Sequence, residues 1–209
     1  MERKRIAIVG VGLIGGSLAL QLKEKGLASK LIGVDTNEEH QKQALGMNLV
    51  DEVLKLEDAI EQSDVIILAI PVDSMVKLLT GILDKIDQQI VVDLGSTKSE
   101  LIAIANGHAK RGRLVATHPM WGTEYSGPQA AVQGAFENKA VIICNEKESD
   151  ADALEWTKNM YKEIGMHFLS MEAVAHDLHA AYVSHIFTYH FFCFGKYSVG
   201  KRKRRRCHF

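Results

Sequence analysis

Three glycines near the start of the chain have a spacing that lets a peptide backbone approach a phosphate group closely. They form the pattern Gly10-x-Gly12-x-x-Gly15, which follows a β-branched run and opens an amphipathic stretch. The first glycine permits a tight turn, the second admits a pyrophosphate to a helix N-terminus, and the third lets helix and strand pack closely. The pattern predicts a dinucleotide cradle, completed by Leu13 and Ile14 in the first turn of the helix.

An acidic residue lies at the position that a dinucleotide-binding glycine motif requires. Asp35 ends the second predicted strand, 20 positions after Gly15. A carboxylate there accepts hydrogen bonds from a ribose hydroxyl and repels a 2′-phosphate. Thr36 and Asn37 follow it without an arginine, so NAD is predicted rather than NADP. A glycine-rich turn in an unrelated α/β fold is the alternative, and the sequence context favours the cradle.

Polar side chains follow several predicted strands, at the edge of a parallel sheet where ligands lie. Ile70 and Pro71 are expected to line the nicotinamide side of a cofactor. His118 directly follows a strand, and an imidazole, with an ordinary pKa of about 6.5, suits a general base for a substrate hydroxyl. Ser96 is expected to bind the same hydroxyl or steady the imidazole, and to lie beside the cofactor. From its position alone, His118 fits a capping or loop histidine equally well.

A second group of histidines lies further along the chain. His176 and His179 are three positions apart on a predicted helix, beside Asp177 and followed by His185. This spacing would suit a pair of metal ligands, but no carboxylate completes a convincing set. We therefore predict no metal site and interpret these histidines as helix-surface residues.

The elements that position these residues alternate along the first 170 residues. Strands that are apolar throughout and separated by helices indicate a parallel sheet buried on both faces. The predicted fold class is therefore α/β, with a Rossmann-type doubly wound parallel sheet. The predicted strands are 5–9, 30–35, 64–70, 89–94, 113–117, 140–145 and 166–169, and the predicted helices are 14–25, 38–46, 74–86 and 149–164.

Composition narrows the class of protein further. The chain has 209 residues, with 25 basic and 26 acidic side chains, and 46% of its residues are hydrophobic. These values are typical of a globular protein. No apolar run approaches the roughly 20 residues of a membrane span, and the N-terminus does not resemble a signal peptide. Three cysteines without CxxC spacing argue against a disulfide scaffold or a zinc site. A cytoplasmic protein without membrane partners is expected.

Four segments resemble, in this order, the prephenate/arogenate dehydrogenase family of tyrosine biosynthesis. They are VGVGLIGGSLAL, DLGSTKSEL, THPMWGTEYSGP and HDLHAAYVSHI, within a resemblance that covers roughly residues 4–186. The second and third are the specific ones, because many dehydrogenases share the glycine motif. The resemblance implies NAD(P)-dependent oxidative decarboxylation, in which a ring carbon loses hydride, carbon dioxide leaves and the ring becomes aromatic. It leaves prephenate and arogenate both open as substrates.

The resemblance also implies roles for individual residues. His118 is the base for the ring hydroxyl, and Ser96 supports it. Thr123 and Glu124 fall in the substrate-pocket segment, where Glu124 belongs to the part that gates the pocket. His185 corresponds to the first histidine of a Ser-His-x-x-His motif. The helical domain of the family forms a homodimer and supplies an arginine for the substrate carboxylate.

The last residues depart from the family pattern. Residues 187–209 hold seven of the 25 basic residues, half of the 14 aromatic residues and no acidic residue. A choice of codons exists for which a one-base shift restores a family-like helix, so we hypothesise a frame-shifted tail on a truncated enzyme with impaired turnover. The predicted organisation is an NAD-binding domain over 1–169, the first helix of an all-helical dimerisation domain over 170–186 and an aberrant tail over 187–209. The nucleotide sequence around codon 187 tests this.

Two other functions fit parts of the sequence. One is a different Rossmann dehydrogenase, such as a β-hydroxy acid enzyme, which would carry a catalytic lysine after the cofactor domain. The other is a non-enzymatic NAD-binding or nucleic-acid-binding protein that uses the basic run at 201–206. The aromatic run before it matches no nucleic-acid-binding module, so nucleic acid is not a predicted partner.

Overall fold

A computed structural model describes residues 2–182, whose strands form one twisted sheet with helices on both faces. The predicted α/β class is confirmed. The strands are β1 (Lys4–Val9), β2 (Ala28–Val34), β3 (Glu52–Val53), β4 (Val65–Leu68), β5 (Ile90–Asp93), β6 (Leu114–Pro119), β7 (Ala140–Cys144) and β8 (His167–Met171). The helices are α1 (Leu13–Glu24), α2 (Glu38–Gly46), α3 (Leu56–Gln62), α4 (Val72–Lys85), α5 (Ser99–Ala105), α6 (Ala151–Ile164) and α7 (173–182).

The strand order places the switch point of the sheet at β1. The order is β3-β2-β1-β4-β5-β6-β7-β8, so the chain first winds outward from β1 to β3 and then continues from β4 on the other side. In such a fold, the crevice between the carboxyl ends of β1 and β4 is the place where ligands bind. The glycine motif follows β1 directly and opens onto this crevice.

The sheet is not parallel throughout, which corrects the sequence-based expectation. β1 to β6 are parallel, whereas β7 runs antiparallel to β6 and β8 runs parallel to β7. The chain leaves β6 and enters β7 at the same edge of the sheet, because Pro119 pairs with Val141. A parallel pair needs a crossover that returns the chain to the opposite edge, and residues 120–139 make no such return.

Alternate residues of the central strands fill two separate cores. Ile6 and Ile8 of β1 pack on the face that α1 and α6 cover, whereas Ala7 and Val9 pack on the face of α4. Each position is buried, which explains why the strands are apolar at every residue instead of at every second one. The two cores hold the strand ends, and therefore the site, in fixed positions.

Local signals account for several helix boundaries. Asn37 caps α2, since its side-chain oxygen accepts hydrogen bonds from the N–H groups of Glu39 and His40. Gly165 ends α6 with a φ of 88°, a conformation that favours glycine. Three short elements were not predicted: the two-residue β3 and the seven-residue helices α3 and α5. They are too short to show a hydrophobic period.

His185 and the basic and aromatic tail at 187–209 lie outside the described residues. Within residues 2–182, none of the helices combines the length and apolar character that a membrane crossing requires.

Candidate active site

The turn after β1 forms a cradle that only glycine can build. Gly10 has a φ of +93°, and a Cβ there would lie 2.6 Å from the carbonyl oxygen of Ala69. A Cβ on Gly15 would lie 1.9 Å from the carbonyl oxygen of Gly10. At Gly12, by contrast, the nearest atom to such a Cβ is the backbone nitrogen of Gly127, 3.9 Å away. The first and last glycines are therefore required by packing, and the middle one borders open space at the N-terminus of α1.

Asp35 is held at the rim of this cradle. Its carboxylate accepts hydrogen bonds from the N–H groups of Val11, at 3.2 Å, and Asn37, at 2.9 Å. His40 Nδ1 lies 3.5 Å from Asp35 Oδ2. These contacts fix the carboxylate at the end of β2, next to the glycine turn, where the predicted ribose contact requires it.

One cleft of about 980 Å³ connects the cradle to the ends of β4, β5 and β6. It brings together most of the residues that the sequence singled out. Those lining it are Gly10, Gly12, Leu13, Ile14, Asp35, Ile70, Pro71, Ser96 and His118, together with Trp121, Tyr125, Ser126 and Gly127 from the segment after β6. Gly15, the last glycine of the cradle, does not line the cleft and packs against Gly10 instead.

His118 lies at the end of β6 and faces a second imidazole. Its Nδ1 is 2.9 Å from His176 Nε2, and the two rings meet edge to face at 78°. Burial, followed by the nearby His176 ring and the Lys98 ammonium, lowers the pKa of His118 to about 4, although Asp177 opposes the shift. The ring is therefore neutral at neutral pH and able to accept a proton.

A buried ion pair joins β5 to β6 beside His118. Asp93 and Lys98 have no exposed surface, and the Lys98 ammonium contacts both carboxylate oxygens and donates to the Thr117 carbonyl at 2.8 Å. Asp93 also accepts from the N–H of Gly95 at 2.7 Å. Burial raises the pKa of Asp93, while Lys98 and Gly95 act in the opposite direction. The pair fixes the turn that carries Ser96 and the residue immediately before His118.

The other predicted substrate residues are placed differently. Ser96 is exposed and lines the cleft with His118, and no hydrogen bond joins the two side chains. Thr123 and Glu124 lie on the exposed segment after β6, next to the residues that line the cleft. Trp121 lines the cleft and packs edge to face on Phe136, with 5.3 Å between ring centroids.

The interpretation of His176 as a surface residue was wrong. His176 has 1% of its surface exposed and contacts both His118 and Asp177, whereas His179 on the same helix is exposed. The helical period was visible in the sequence, but the packing of α7 onto β6 was not. Among the described residues, no three His, Cys, Asp or Glu side chains are grouped as a metal site would require.

The fold and cleft define the class of the protein. A glycine turn at the switch point, an acidic residue after β2 and a neutral histidine at the end of β6 share one cleft. This arrangement is a Rossmann-type nucleotide-binding domain that carries a candidate general base.

Comparison with known proteins identifies the family. Residues 18–170 match the family described as prephenate dehydrogenase, nucleotide-binding domain, and the chain belongs to this family. The prephenate dehydrogenase of Bacillus subtilis (strain 168) is 31% identical over 86% of this chain and 50% of its own length. That of Lactococcus lactis subsp. cremoris (strain MG1363) is 32% identical over 87% of this chain and 50% of its own length.

A solved structure supports the same conclusion. Prephenate dehydrogenase from Aquifex aeolicus, in complex with hydroxyphenyl propionate and NAD+, superposes with a TM-score of 0.83 at 29% identity. The superposition covers 94% of this chain and 69% of that protein. The chain spans about half the length of the curated relatives it matches. The glycine motif precedes the residues matched by the family model.

Proposed function

We propose that the chain supplies the cofactor site and catalytic base of a NAD-dependent prephenate dehydrogenase, which converts prephenate to 4-hydroxyphenylpyruvate. One observation carries the proposal: the glycine cradle, Asp35 and the neutral His118 line a single cleft in a member of this family. The names of the Bacillus, Lactococcus and Aquifex relatives support the substrate.

The residues of the cleft fit a bound NAD. The open space at Gly12 and the N–H groups at the N-terminus of α1 suit the pyrophosphate. Asp35 suits the adenosine ribose and disfavours a 2′-phosphate, and Ile70 and Pro71 lie where the nicotinamide side is expected. When bound, NAD accepts the hydride that leaves the substrate.

His118 takes the proton from the ring hydroxyl. Because its pKa is lowered to about 4, the imidazole is in its basic form at neutral pH. Loss of carbon dioxide leaves its electron pair in the ring, which becomes an aromatic phenolate, and protonation of that oxygen balances the proton taken earlier. Ser96, on the same cleft wall, supports the hydroxyl. Aromatisation provides the driving force, so the protein has chiefly to orient the reactants and accept one proton.

The proposal extends to the remaining predicted partners. Thr123 and Glu124 contribute to the substrate side of the cleft, and so does His185, which lies outside the described residues. The predicted boundary after residue 169 falls inside β8 (His167–Met171), so we assign the chain up to Met171 to the NAD domain and begin the helical domain with α7. The whole enzyme is proposed to be a cytoplasmic homodimer.

A direct test combines cofactor binding with a single-turnover assay, which follows the chemical step itself. Calorimetric titration should show tighter binding of NAD than of NADP. Absorbance of NADH should then rise when prephenate is added to enzyme and NAD at comparable concentrations. His118→Gln should slow this step about 10²–10⁴-fold, the usual contribution of a general base, without weakening NAD binding. The same change at the exposed His179 is the matched control and should have no effect.

Each result has a distinct meaning. Oxidation of arogenate but not prephenate would correct the substrate and leave the role of His118 intact. Binding of NAD without oxidation of either compound would overturn the proposed activity. An undiminished rate in His118→Gln would overturn the assignment of the base.

A further inference from the structure

We propose that His176 and Asp177 form a relay that sets the tautomer of His118, so that its second ring nitrogen, Nε2, is the proton acceptor. They are positioning residues, since they act through His118 and do not line the cleft. The effect of the relay on the reaction rate rests on the proposed function, whereas the tautomer of His118 rests on the contacts alone.

The contacts run from α7 to the end of β6 in a continuous line. Asp177 Oδ1 lies 2.8 Å from His176 Nδ1, and His176 Nε2 lies 2.9 Å from His118 Nδ1. His176 is 1% exposed, so water cannot readily replace either contact. Among the described residues, Nε2 of His118 has no hydrogen-bond partner, and His118 lines the cleft.

The direction of each hydrogen bond follows from the carboxylate. An ionised Asp177 can only accept, so His176 Nδ1 must carry a proton and donate it. In neutral His176 the other nitrogen, Nε2, is then bare and accepts from the Nδ1–H of His118. The proton of His118 is thus held on Nδ1, and Nε2 is left as the base. If His176 Nε2 instead donated to His118 Nδ1, the proton of His118 would lie on its Nε2, and that atom could not accept a proton.

Asp177 is kept ionised by its surroundings. Its two oxygens also accept hydrogen bonds from the N–H groups of Lys98 and Ser99, both at 2.8 Å. Burial opposes ionisation of Asp177, but the contacts with Ser99, His176 and Lys98 outweigh it and lower its pKa. The carboxylate is therefore a permanent acceptor, which makes it suitable as the fixed end of the relay.

The other charged groups near His118 do not compete for its Nδ1. Lys98 uses its ammonium on Asp93 and the Thr117 carbonyl. His176 is the only partner of His118 Nδ1 among the described residues.

Nitrogen NMR of the histidine-labelled chain tests the relay without requiring turnover. Long-range proton–nitrogen spectra at pH 7 should show His118 and His176 both protonated on Nδ1. Asp177→Ala removes the acceptor of His176 Nδ1, so both rings should show a mixture of the Nδ1–H and Nε2–H tautomers. In the single-turnover assay the rate should fall several-fold, in proportion to the fraction of His118 that leaves the Nδ1–H form, with NAD affinity unchanged.

Two further variants keep the test decisive if Asp177→Ala does not fold. His176→Gln retains an oxygen that can accept from His118, so Nδ1 should stay protonated and the rate should stay close to the original. His176→Leu removes the acceptor, so both tautomers of His118 should be populated and the rate should fall several-fold, as in Asp177→Ala. His179→Gln again serves as the unaffected control.

The outcomes separate the relay from the proposed function. A proton on Nε2 of His118 in the unmodified chain would overturn the relay, and so would unchanged His118 signals in both Asp177→Ala and His176→Leu. The expected tautomers without any oxidation of prephenate would instead leave the relay standing and refute the proposed activity.

Discussion

The two halves of the cleft are built by different means. The cradle for the cofactor is made of backbone from one short segment, Gly10 to Gly15, with one carboxylate from the next strand. The His118 half is made of side chains from β5, β6 and α7 together with Lys98, and its contacts join residues 58 and 79 positions apart. The cradle requires glycines, because added side-chain atoms would clash there. The His118 half requires specific polar side chains that hydrogen-bond to one another. Substitutions should therefore damage the two halves in different ways.

The largest effect is expected from breaking the buried pair in the His118 half. Lys98→Met leaves the Asp93 carboxylate buried without its cation, and should lower the free energy of unfolding by about 3–5 kcal/mol. Lys30→Met removes the partly exposed pair with Glu52 and should cost about 1 kcal/mol or less. Urea denaturation of both variants gives the comparison. Equal losses would mean that Lys98 does not stabilise this half through its buried pair.

The cradle should respond to an added methyl group. In Gly15→Ala the new Cβ would meet the Gly10 carbonyl oxygen, which belongs to the backbone and cannot move aside. A loss of about 1–3 kcal/mol in stability is expected, together with weaker NAD binding. Gly81→Ala in α4, where no atom lies within 4 Å, should instead stabilise the helix by about 0.5–1 kcal/mol. Intact NAD binding in Gly15→Ala would contradict the proposed role of this close packing.

The pH dependence of the reaction reports on the electrostatics of the His118 half. Only the unprotonated imidazole is active, and its pKa is lowered to about 4, so kcat/KM should fall only as the pH drops through about 4. At pH 5 the unprotonated, active fraction of a histidine of ordinary pKa would be about 30-fold smaller than that of His118. A pH profile of prephenate oxidation, with circular dichroism to confirm folding, measures this. An acid limb near pH 6.5 would show that burial and His176 do not depress the pKa during turnover.

The smallest effect is expected at the rim of the cradle. Asp35→Asn removes the charge that disfavours a 2′-phosphate, and should reduce the preference for NAD over NADP about tenfold, or 1.4 kcal/mol. Asp84→Asn, on the exposed end of α4 away from the cleft, is the control. Titration of both cofactors against each variant checks the expectation. An unchanged preference would mean that the backbone contacts of the cradle, and not Asp35, discriminate between the cofactors.

The same contrast explains how much of the molecule was predictable. The α/β class followed from the unbroken apolar strands, because both faces of β1 and its neighbours are covered. The glycine spacing and Asp35 are local patterns, so the position of the cradle could be predicted without knowledge of long-range packing. The reversal at β7 could not, because it depends on the route of residues 120–139 and not on their composition.

The His118 half was predictable only in part. His118 and Ser96 follow strands, and strand ends at the carboxyl edge meet in space. His176 and Asp177 were visible as a pair, but their direction depends on α7 packing against β6, far away in sequence. Likewise, the spacing of Asp93 and Lys98 indicated a motif without indicating that both side chains are buried and paired. The only sequence signal for this buried ion pair was that an acidic and a basic residue follow the apolar part of strand β5.

The position of Trp121 gives the chain an optical reporter of its own cofactor site. The chain has two tryptophans, and only Trp121 lines the cleft, where its emission should change when NAD occupies the neighbouring space. Trp156 is buried in α6, in a different cavity with Lys4 and Arg113. In a Trp156→Phe chain under folding conditions, the emission of Trp121 would report ligand binding, and in a Trp121→Phe chain the emission of Trp156 would report unfolding. The two events can therefore be timed separately in the same protein without an attached dye.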